Sequence, residues 1–262
     1  MLWLRWRCMA FLVRINLLVG ILVCTIILTF NPLFMSVVKR TFSSNASTLL
    51  GPDNKTPLVD YIMQMITGLL LSDATLVKKY TNGGTYLQFA QSVIHGPFIV
   101  FVHNLMFSAG LCNMTAPSTG TAVTNGYKYL YLSFATRSFA SWNVLHSAWY
   151  LEDIKVLPHN ISDLLTPISL AYWLMGDGGW NGNGINLATN NFTRTEVELL
   201  VSILTSKFGL HCSIQSRNRL YIWARSVPKF VEIVRPHMEQ SMMYKIDKSC
   251  PKPIKQTPIK VS

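Results

Sequence analysis

Two aspartates, Asp73 and Asp177, each follow a run of apolar residues that ends in a small residue. The first run begins near Pro57 and the second near Pro167, and proline suits the first turn of a helix. An acid at the C-terminal end of a helix opposes the helix macrodipole. One such acid is readily explained as the residue that ends its helix. Two matched acids instead indicate a bound cation.

The two runs belong to an internal repeat. Aligning the aspartates, which lie 104 residues apart, places Thr67 opposite Ala171 and Ser72 opposite Gly176. Small residues four to five positions apart let the backbone of a second helix approach closely. We therefore expect the two helices to pack on each other about a pseudo-twofold axis, with both carboxylates at one end of the pair.

Similar elements follow the two aspartates. In the first repeat the residue pattern predicts a strand over 84–91, a helix over 97–111 and a strand over 127–136. In the second repeat it predicts a strand over 184–189, a helix that starts at Thr193 with a capping box to Glu196, strands over 211–215 and 219–224, and a helix over 228–243. Each repeat is therefore a mixed helix-and-strand module, and the predicted fold class is α/β (mixed α+β).

The repeat resembles the LAGLIDADG homing endonucleases, specifically the single-chain, two-motif kind encoded in fungal mitochondrial introns. The nine-residue motif lies at residues 66–74 (Ile-Thr-Gly-Leu-Leu-Leu-Ser-Asp-Ala) and 170–178 (Leu-Ala-Tyr-Trp-Leu-Met-Gly-Asp-Gly). The second copy departs from the family pattern at Tyr172, where the family has glycine, and at Gly176, where many relatives have a second acid. The resemblance covers roughly residues 55–246.

The resemblance implies two pseudo-symmetric αββαββα modules that pack through their motif helices, with antiparallel sheets forming a DNA-binding saddle. It places the first module at residues 51–157 and the second at 158–246, in a monomer with an internal pseudo-twofold axis. Residues 1–50 form a hydrophobic leader or transmembrane-like segment. Residues 247–262 form a basic tail, which we expect to be disordered because it is rich in lysine and proline.

The implied function is a site-specific double-strand DNA endonuclease that promotes intron homing, hydrolysing one phosphodiester in each strand at an intron insertion site. Asp73 and Asp177 would hold the divalent metal, Mg²⁺ with Mn²⁺ able to substitute, and each would serve one strand. Lys155 and Lys245 fall at the same point of their repeats and complete the catalytic set that the resemblance implies. A solvated surface residue is the alternative role for each lysine.

Alternate side chains of the strands would face the DNA major groove. The candidate DNA-contact residues are Lys78, Lys79, Tyr86, Gln88, Gln91 and Arg137 in the first module and Asn186, Arg217, Arg219 and Tyr221 in the second. Three of them, Lys78, Lys79 and Arg137, are assigned to phosphates. The net charge of +11 fits a polyanionic partner, although a generally basic protein would show it too.

The N-terminal segment is open to several interpretations. Residues 15–38 contain no charged residue and are long enough to span a bilayer. They predict membrane contact through an anchor, or alternatively a targeting segment or exon read-through. Five N-x-Ser/Thr sequons fit a secreted glycoprotein, but their number is near the chance expectation and the cysteines are not organised as a disulfide scaffold.

Two functional alternatives accompany the nuclease. One is an intron-encoded maturase that binds intron RNA and assists group I splicing on the same fold, with or without DNA cleavage; it needs the basic surface but not the metal-binding acids. The other is a membrane-anchored protein whose soluble domain only resembles this fold. For both the nuclease and the maturase, the resemblance implies a mitochondrial location.

Overall fold

The structure, a computed structural model, describes residue 36, residues 39–257 and residues 259–260. Of the predicted membrane-contact segment 15–38, the structure describes Ser36 alone, so that prediction lies outside the described residues. No helix in the described part is both long and apolar enough to cross a bilayer. The described residues from 41 onward form one compact unit. Within it, Trp142 Nε1 donates to Thr41 Oγ1 at 3.0 Å, so the chain before residue 51, the predicted start of the first module, contacts that module.

Both repeats fold as αββαββα modules, which confirms the predicted fold class. The first module consists of α1 (Leu58–Leu71), β1 (Thr75–Lys78), β2 (Thr85–Ser92), α2 (Gly96–Ser108), β3 (Ser118–Thr124), β4 (Tyr127–Ala135) and α3 (Asn143–Trp149). A small hairpin, β5 (Tyr150–Leu151) and β6 (Ile154–Lys155), and a short helix, α4 (Ile161–Leu164), lead to the second module. That module consists of α5 (Pro167–Asp177), β7 (Gly178–Asn181), β8 (Gly184–Leu187), α6 (Arg194–Phe208), β9 (Cys212–Gln215), β10 (Arg219–Ile222) and α7 (Val227–Val234).

Each module contributes an antiparallel sheet with the same connectivity. In the first sheet β1, β2 and β4 pair in that order and β3 pairs with β4, and in the second the order is β7, β8, β10, β9. The pairing registers correspond as well, with Thr75 opposite Gln88 in the first sheet and Gly179 opposite Asn186 in the second. A last strand, β11 (Ile259–Lys260), pairs with β4. The disorder expected for residues 247–262 stays a prediction.

The motif helices α1 and α5 pack directly on each other, as the small residues predicted. A Cβ on Gly68 would lie 2.7 Å from the Cβ of Tyr172 and close to the backbone carbonyl of Ser169. Gly176 faces Ser72 in the same way. The departure from the family pattern at Tyr172 is accommodated because the glycine on the opposite helix leaves room for it. The Tyr172 hydroxyl lies 3.3 Å from that of Tyr61.

Helix ends follow the local sequence signals in most places. Helix α6 begins with the predicted capping box between Thr193 and Glu196 and ends at Gly209, where φ is 62°. The predicted helix over 228–243 was too long. It stops at Val234, because Pro236 lacks an N–H for the helix ladder, and short 3-10 turns continue the chain to Lys245. The residue pattern did not predict strands β1, β3 and β7.

Candidate active site

The two motif aspartates meet at the end of the helix pair. Asp73 follows the last turn of α1, and Asp177 is the final residue of α5. The two carboxyl groups lie close enough to interact electrostatically, and each affects the pKa of the other. Both residues are exposed to solvent. The repeat therefore brings together two carboxylates that lie far apart in the chain.

The environment of the pair disfavours two simultaneous negative charges. Burial, with the nearby charge of Asp177, raises the pKa of Asp73 to about 6, although Lys245 and Gln91 oppose the rise. Burial also raises the pKa of Asp177. A divalent cation between the two carboxylates would relieve their repulsion.

The donor chemistry fits a hard divalent cation. Both candidate ligands are carboxylates, which Mg²⁺ and Mn²⁺ prefer. Among the described residues, no cluster of three or more carboxylates, histidines and cysteines forms a complete protein cage. Water and phosphate oxygens would therefore supply the remaining ligands, which is usual for Mg²⁺ sites on nucleic acid substrates.

Each predicted lysine lies at the C-terminal end of the motif helix of its own module. Lys155 Nζ donates to the carbonyls of Leu70 at 2.9 Å and Ala74 at 2.7 Å. Lys245 Nζ is buried and donates to the three successive carbonyls of residues 174–176, the shortest bond being 2.6 Å. The two ammonium groups thus occupy matched positions and offset the negative end of each helix dipole.

Burial lowers the pKa of both lysines to about 8, and the two aspartates limit the decrease. Both side chains are therefore still protonated at neutral pH. Their hydrogen bonds to fixed carbonyls hold the charges in place, so they can stabilise negative charge that develops beside the aspartates without reorganising.

The structure corrects the assignment of Gln91 to DNA contact. Side chains of β2 alternate between two faces, and Gln91 shares the buried face with Leu87 and Phe89. Its amide Nε2 donates to Asp73 Oδ2, so Gln91 contacts the aspartate pair. The sequence already indicates that Gln91 is buried, because residues 87, 89 and 91 lie on the same face of a strand.

The other predicted strand residues lie on the faces turned away from the core. Tyr86 and Gln88 occupy the exposed face of β2. In the second sheet Asn186 pairs with Tyr221, and Arg219 lies on the same face of β10. The outward faces of β2 in the first sheet and of β8 and β10 in the second therefore carry polar side chains, as expected of a surface that reads bases.

The remaining candidates lie at sheet ends and turns. Lys78 ends β1 and Lys79 follows it, with Nζ 5.4 Å from the centre of the Tyr80 ring. Arg217 lies in the turn between β9 and β10, where its φ is 57°. Arg137 is exposed but donates to the carbonyl of Gly110, so this backbone contact already engages its guanidinium.

Sequence reasoning missed several residues of the site and its surroundings. Tyr127, Tyr129 and Tyr131 alternate along β4 and would add aromatic side chains to the exposed face of the first sheet. Their positions at every second residue of a predicted strand could have identified this shared face from the sequence. His95 and Tyr244 extend the contacts of Gln91, with His95 Nδ1 2.9 Å from Gln91 Oε1 and Tyr244 Oη 3.2 Å from His95 Nε2. No sequence signal identifies these two, because they come from different modules.

Comparison with known proteins agrees with this geometry. The model of the LAGLIDADG DNA endonuclease family matches residues 63–230, which include both aspartates. The chain belongs to this family. The solved structure of the homing endonuclease I-WcaI bound to its DNA recognition sequence superimposes with a TM-score of 0.65 at 25% identity, covering 75% of this chain and 94% of that one.

Two curated relatives of this LAGLIDADG chain are maturases. Cytochrome b mRNA maturase bI2 of Debaryomyces hansenii is 34% identical over 196 residues, which are 72% of this chain and 75% of that protein. Cytochrome b mRNA maturase bI2 of Saccharomyces cerevisiae is 31% identical over 207 residues, or 74% of this chain. The match covers 49% of the yeast protein, so this chain spans about half the length of that relative.

Proposed function

We propose that the chain is a site-specific, divalent-metal-dependent endonuclease that cuts both strands of a DNA target at an intron insertion site. One observation carries the proposal: Asp73 and Asp177, from equivalent ends of two packed helices, form a single pair of carboxylates with raised pKa values. A protein that used this fold only for binding would gain nothing from holding two acids together at the junction of its sheets.

The surrounding residues supply the other requirements of phosphodiester hydrolysis. A bound Mg²⁺ or Mn²⁺ supplies Lewis-acid stabilisation of the phosphate and activation of a water. Lys155 and Lys245, held by backbone carbonyls, place positive charge where negative charge develops on the phosphate oxygens. Each aspartate would serve one of the two strands, because the module pair is symmetric about the helix interface.

The sheets provide the surface on which the duplex would lie. The contacts with bases are proposed for Tyr86 and Gln88 in the first module and for Asn186, Arg219 and Tyr221 in the second. Lys78, Lys79, Arg217 and Arg137 are proposed to contact the phosphate backbone. Support comes from the I-WcaI structure, which was solved on its DNA recognition sequence.

The test is cleavage of DNA by the full chain. Duplexes that span candidate insertion sites, with and without the intron, would be incubated with Mg²⁺, Mn²⁺ or EDTA. We expect cleavage of an intronless site only with metal, and loss of at least one strand cut in Asp73→Asn and Asp177→Asn. Asp153→Asn, which makes the same charge change in an exposed turn, is the control. Metal-independent cleavage, or no cleavage of any intronless site, would refute the proposal.

A second function, RNA maturation, is favoured by the two bI2 maturases among the relatives. In this role the chain would bind its intron RNA and assist group I splicing, in the mitochondrion where cytochrome b is made. Asp177→Asn separates the two functions in a splicing assay. Splicing that persists in this variant while cleavage is lost would show that the fold does both, and splicing support absent from the wild type would exclude the maturase.

A further inference from the structure

A continuous chain of hydrogen bonds reaches Asp73 from outside the carboxylate pair. Gln91 Nε2 donates to Asp73 Oδ2, and the other end of the same amide, Oε1, lies 2.9 Å from His95 Nδ1. The opposite nitrogen of that ring, Nε2, lies 3.2 Å from the hydroxyl of Tyr244. The chain crosses the module boundary, because Tyr244 belongs to the C-terminal turns of the second module.

The chemistry of the groups fixes the direction of every bond in this chain. An amide oxygen can only accept, so His95 Nδ1 must carry the proton. In a neutral imidazole Nε2 is then an acceptor, and the Tyr244 hydroxyl must donate to it. Burial, together with the positive charge of Lys245, lowers the pKa of His95 to about 4, which keeps the ring neutral. All the donors therefore point toward the Asp73 carboxylate, and aligned donors polarise one another.

The second module has a different arrangement at the equivalent positions. Register places Thr189 where the first module has Gln91, because Asn186 and Gln88 are equivalent partners in the two sheets. Thr189 Oγ1 donates to the carbonyl of Asn218 and accepts from the Leu220 N–H at 3.1 Å, and so serves the sheet. Beside Asp177 there is instead a cavity of about 200 Å³, lined in part by Thr189.

The helix starts show the same asymmetry. His95 precedes α2 and Thr193 precedes α6, so they occupy equivalent N-cap positions. Thr193 caps its helix through a capping box with Glu196, whereas the His95 side chain makes no cap bond. A side-chain cap of this kind stabilises the start of a helix. The ring of His95 makes no cap bond and contacts Gln91 and Tyr244 instead.

We propose that His95 and Tyr244 are positioning residues that fix the amide of Gln91, and through it the carboxylate of Asp73, in one of the two half-sites only. The two strands of the target are then cut by non-equivalent sites: one with a carboxylate fixed by this chain of hydrogen bonds, and one with a carboxylate beside an open cavity. The inference rests on the proposed nuclease function.

The test compares the rates at which the two strands of one target are cut. Tyr244→Phe removes only the donor hydroxyl, and His95→Leu removes both ring nitrogens. His95→Asn keeps a nitrogen at the position of Nδ1 and should restore much of the rate. In the first two variants we expect about tenfold slower cutting of one strand, a typical effect of removing an outer partner of a metal-site ligand. The other strand should be cut at the wild-type rate, so nicked plasmid accumulates.

Tyr61→Phe is the matched control, because it also removes one hydroxyl from a contact between the modules, the one with Tyr172. It should leave both strand rates unchanged. Binding of the target in Ca²⁺, measured without cleavage, should change less than twofold in Tyr244→Phe. A residue that only ties the modules together would slow both strands equally. Equal slowing, or no slowing in either variant, would overturn the inference.

A second measurement does not need cleavage. The ¹⁵N spectrum of His95 should show a neutral ring protonated at Nδ1, and Tyr244→Phe should weaken that preference. A ring protonated at Nε2 in the wild type would overturn the inference whether or not the protein cuts DNA. A wild-type chain that cuts no intronless target with Mg²⁺ or Mn²⁺ would instead refute the proposed function, and this outcome is distinct from the NMR result.

Discussion

Replacing Gly68 by alanine should both destabilise the protein and slow cleavage. A Cβ at this position would lie 2.7 Å from the Cβ of Tyr172 and 3.0 Å from the backbone nitrogen of Trp173. Ordinary contacts begin at 3.4 Å, so helices α1 and α5 must separate by roughly 1 Å. Backbone atoms of α5 form much of the obstacle, and they cannot rotate away as a flexible side chain could.

The expected loss of stability follows from two opposing effects. Alanine in a helix interior is favoured over glycine by about 1 kcal/mol, whereas overpacking of a core costs about 1–3 kcal/mol and occasionally more. Because the helices meet through backbone atoms, we expect the clash to win, with a net loss of about 2 kcal/mol and a Tm lower by about 4–8 °C. The measurement is thermal unfolding followed by circular dichroism, without metal.

The same displacement should move Asp73 relative to Asp177, since each follows one of the two helices. A misplacement of about 1 Å can slow a reaction about 100-fold, so single-turnover cleavage should fall by about that factor at temperatures where the variant is folded. Gly96→Ala is the control, because its Cβ would meet only the Leu132 side chain at 3.6 Å. If Gly68→Ala kept the wild-type Tm and cleavage rate, the argument from helix contact would be wrong.

Four further predictions concern metal binding, charge and capping. At 100 times its dissociation constant, Mg²⁺ should stabilise the wild type by about 2.7 kcal/mol, which is measured as a higher Tm. Asp177→Asn should abolish this increase in Tm. An equal increase in the variant would show that the metal binds elsewhere. At subsaturating Mg²⁺, cleavage should rise as pH passes about 6, because the ionised Asp73 binds the metal and its protonated form does not, and should fall above about 8, where Lys245 loses its proton. Folding raises the pKa of Asp73 in the metal-free protein, so its protonated form contributes to stability. This contribution is fully present below pH 3.8 and should be lost as pH rises through about 6. A free energy of unfolding that stays constant over that range in denaturant titrations would contradict the shift. Thr193→Ala should cost about 1 kcal/mol of unfolding free energy by removing a helix cap, with cleavage unchanged.

The sequence by itself determined the module, its duplication and the chemistry at the end of each motif helix. These features depend only on neighbours a few positions apart in the chain. They include the apolar runs that end in a small residue and Asp73 or Asp177, and the capping box at Thr193. Lys155 and Lys245 were also found from sequence, because duplication repeats a position as well as a motif. Their placement against helix carbonyls follows the same symmetry.

Tertiary structure alone decided what surrounds the carboxylates. Gln91 was assigned to the wrong face, although strand parity could have corrected it, whereas no pattern in the chain connects His95 with Tyr244, 149 residues later. Their contact exists because the C-terminal turns of one module pack against helix α2 of the other. Duplication predicts what the two modules share. The differences between the half-sites at Asp73 and Asp177 arise from side chains that meet only when the modules pack, and such contacts leave no periodic signal in the sequence.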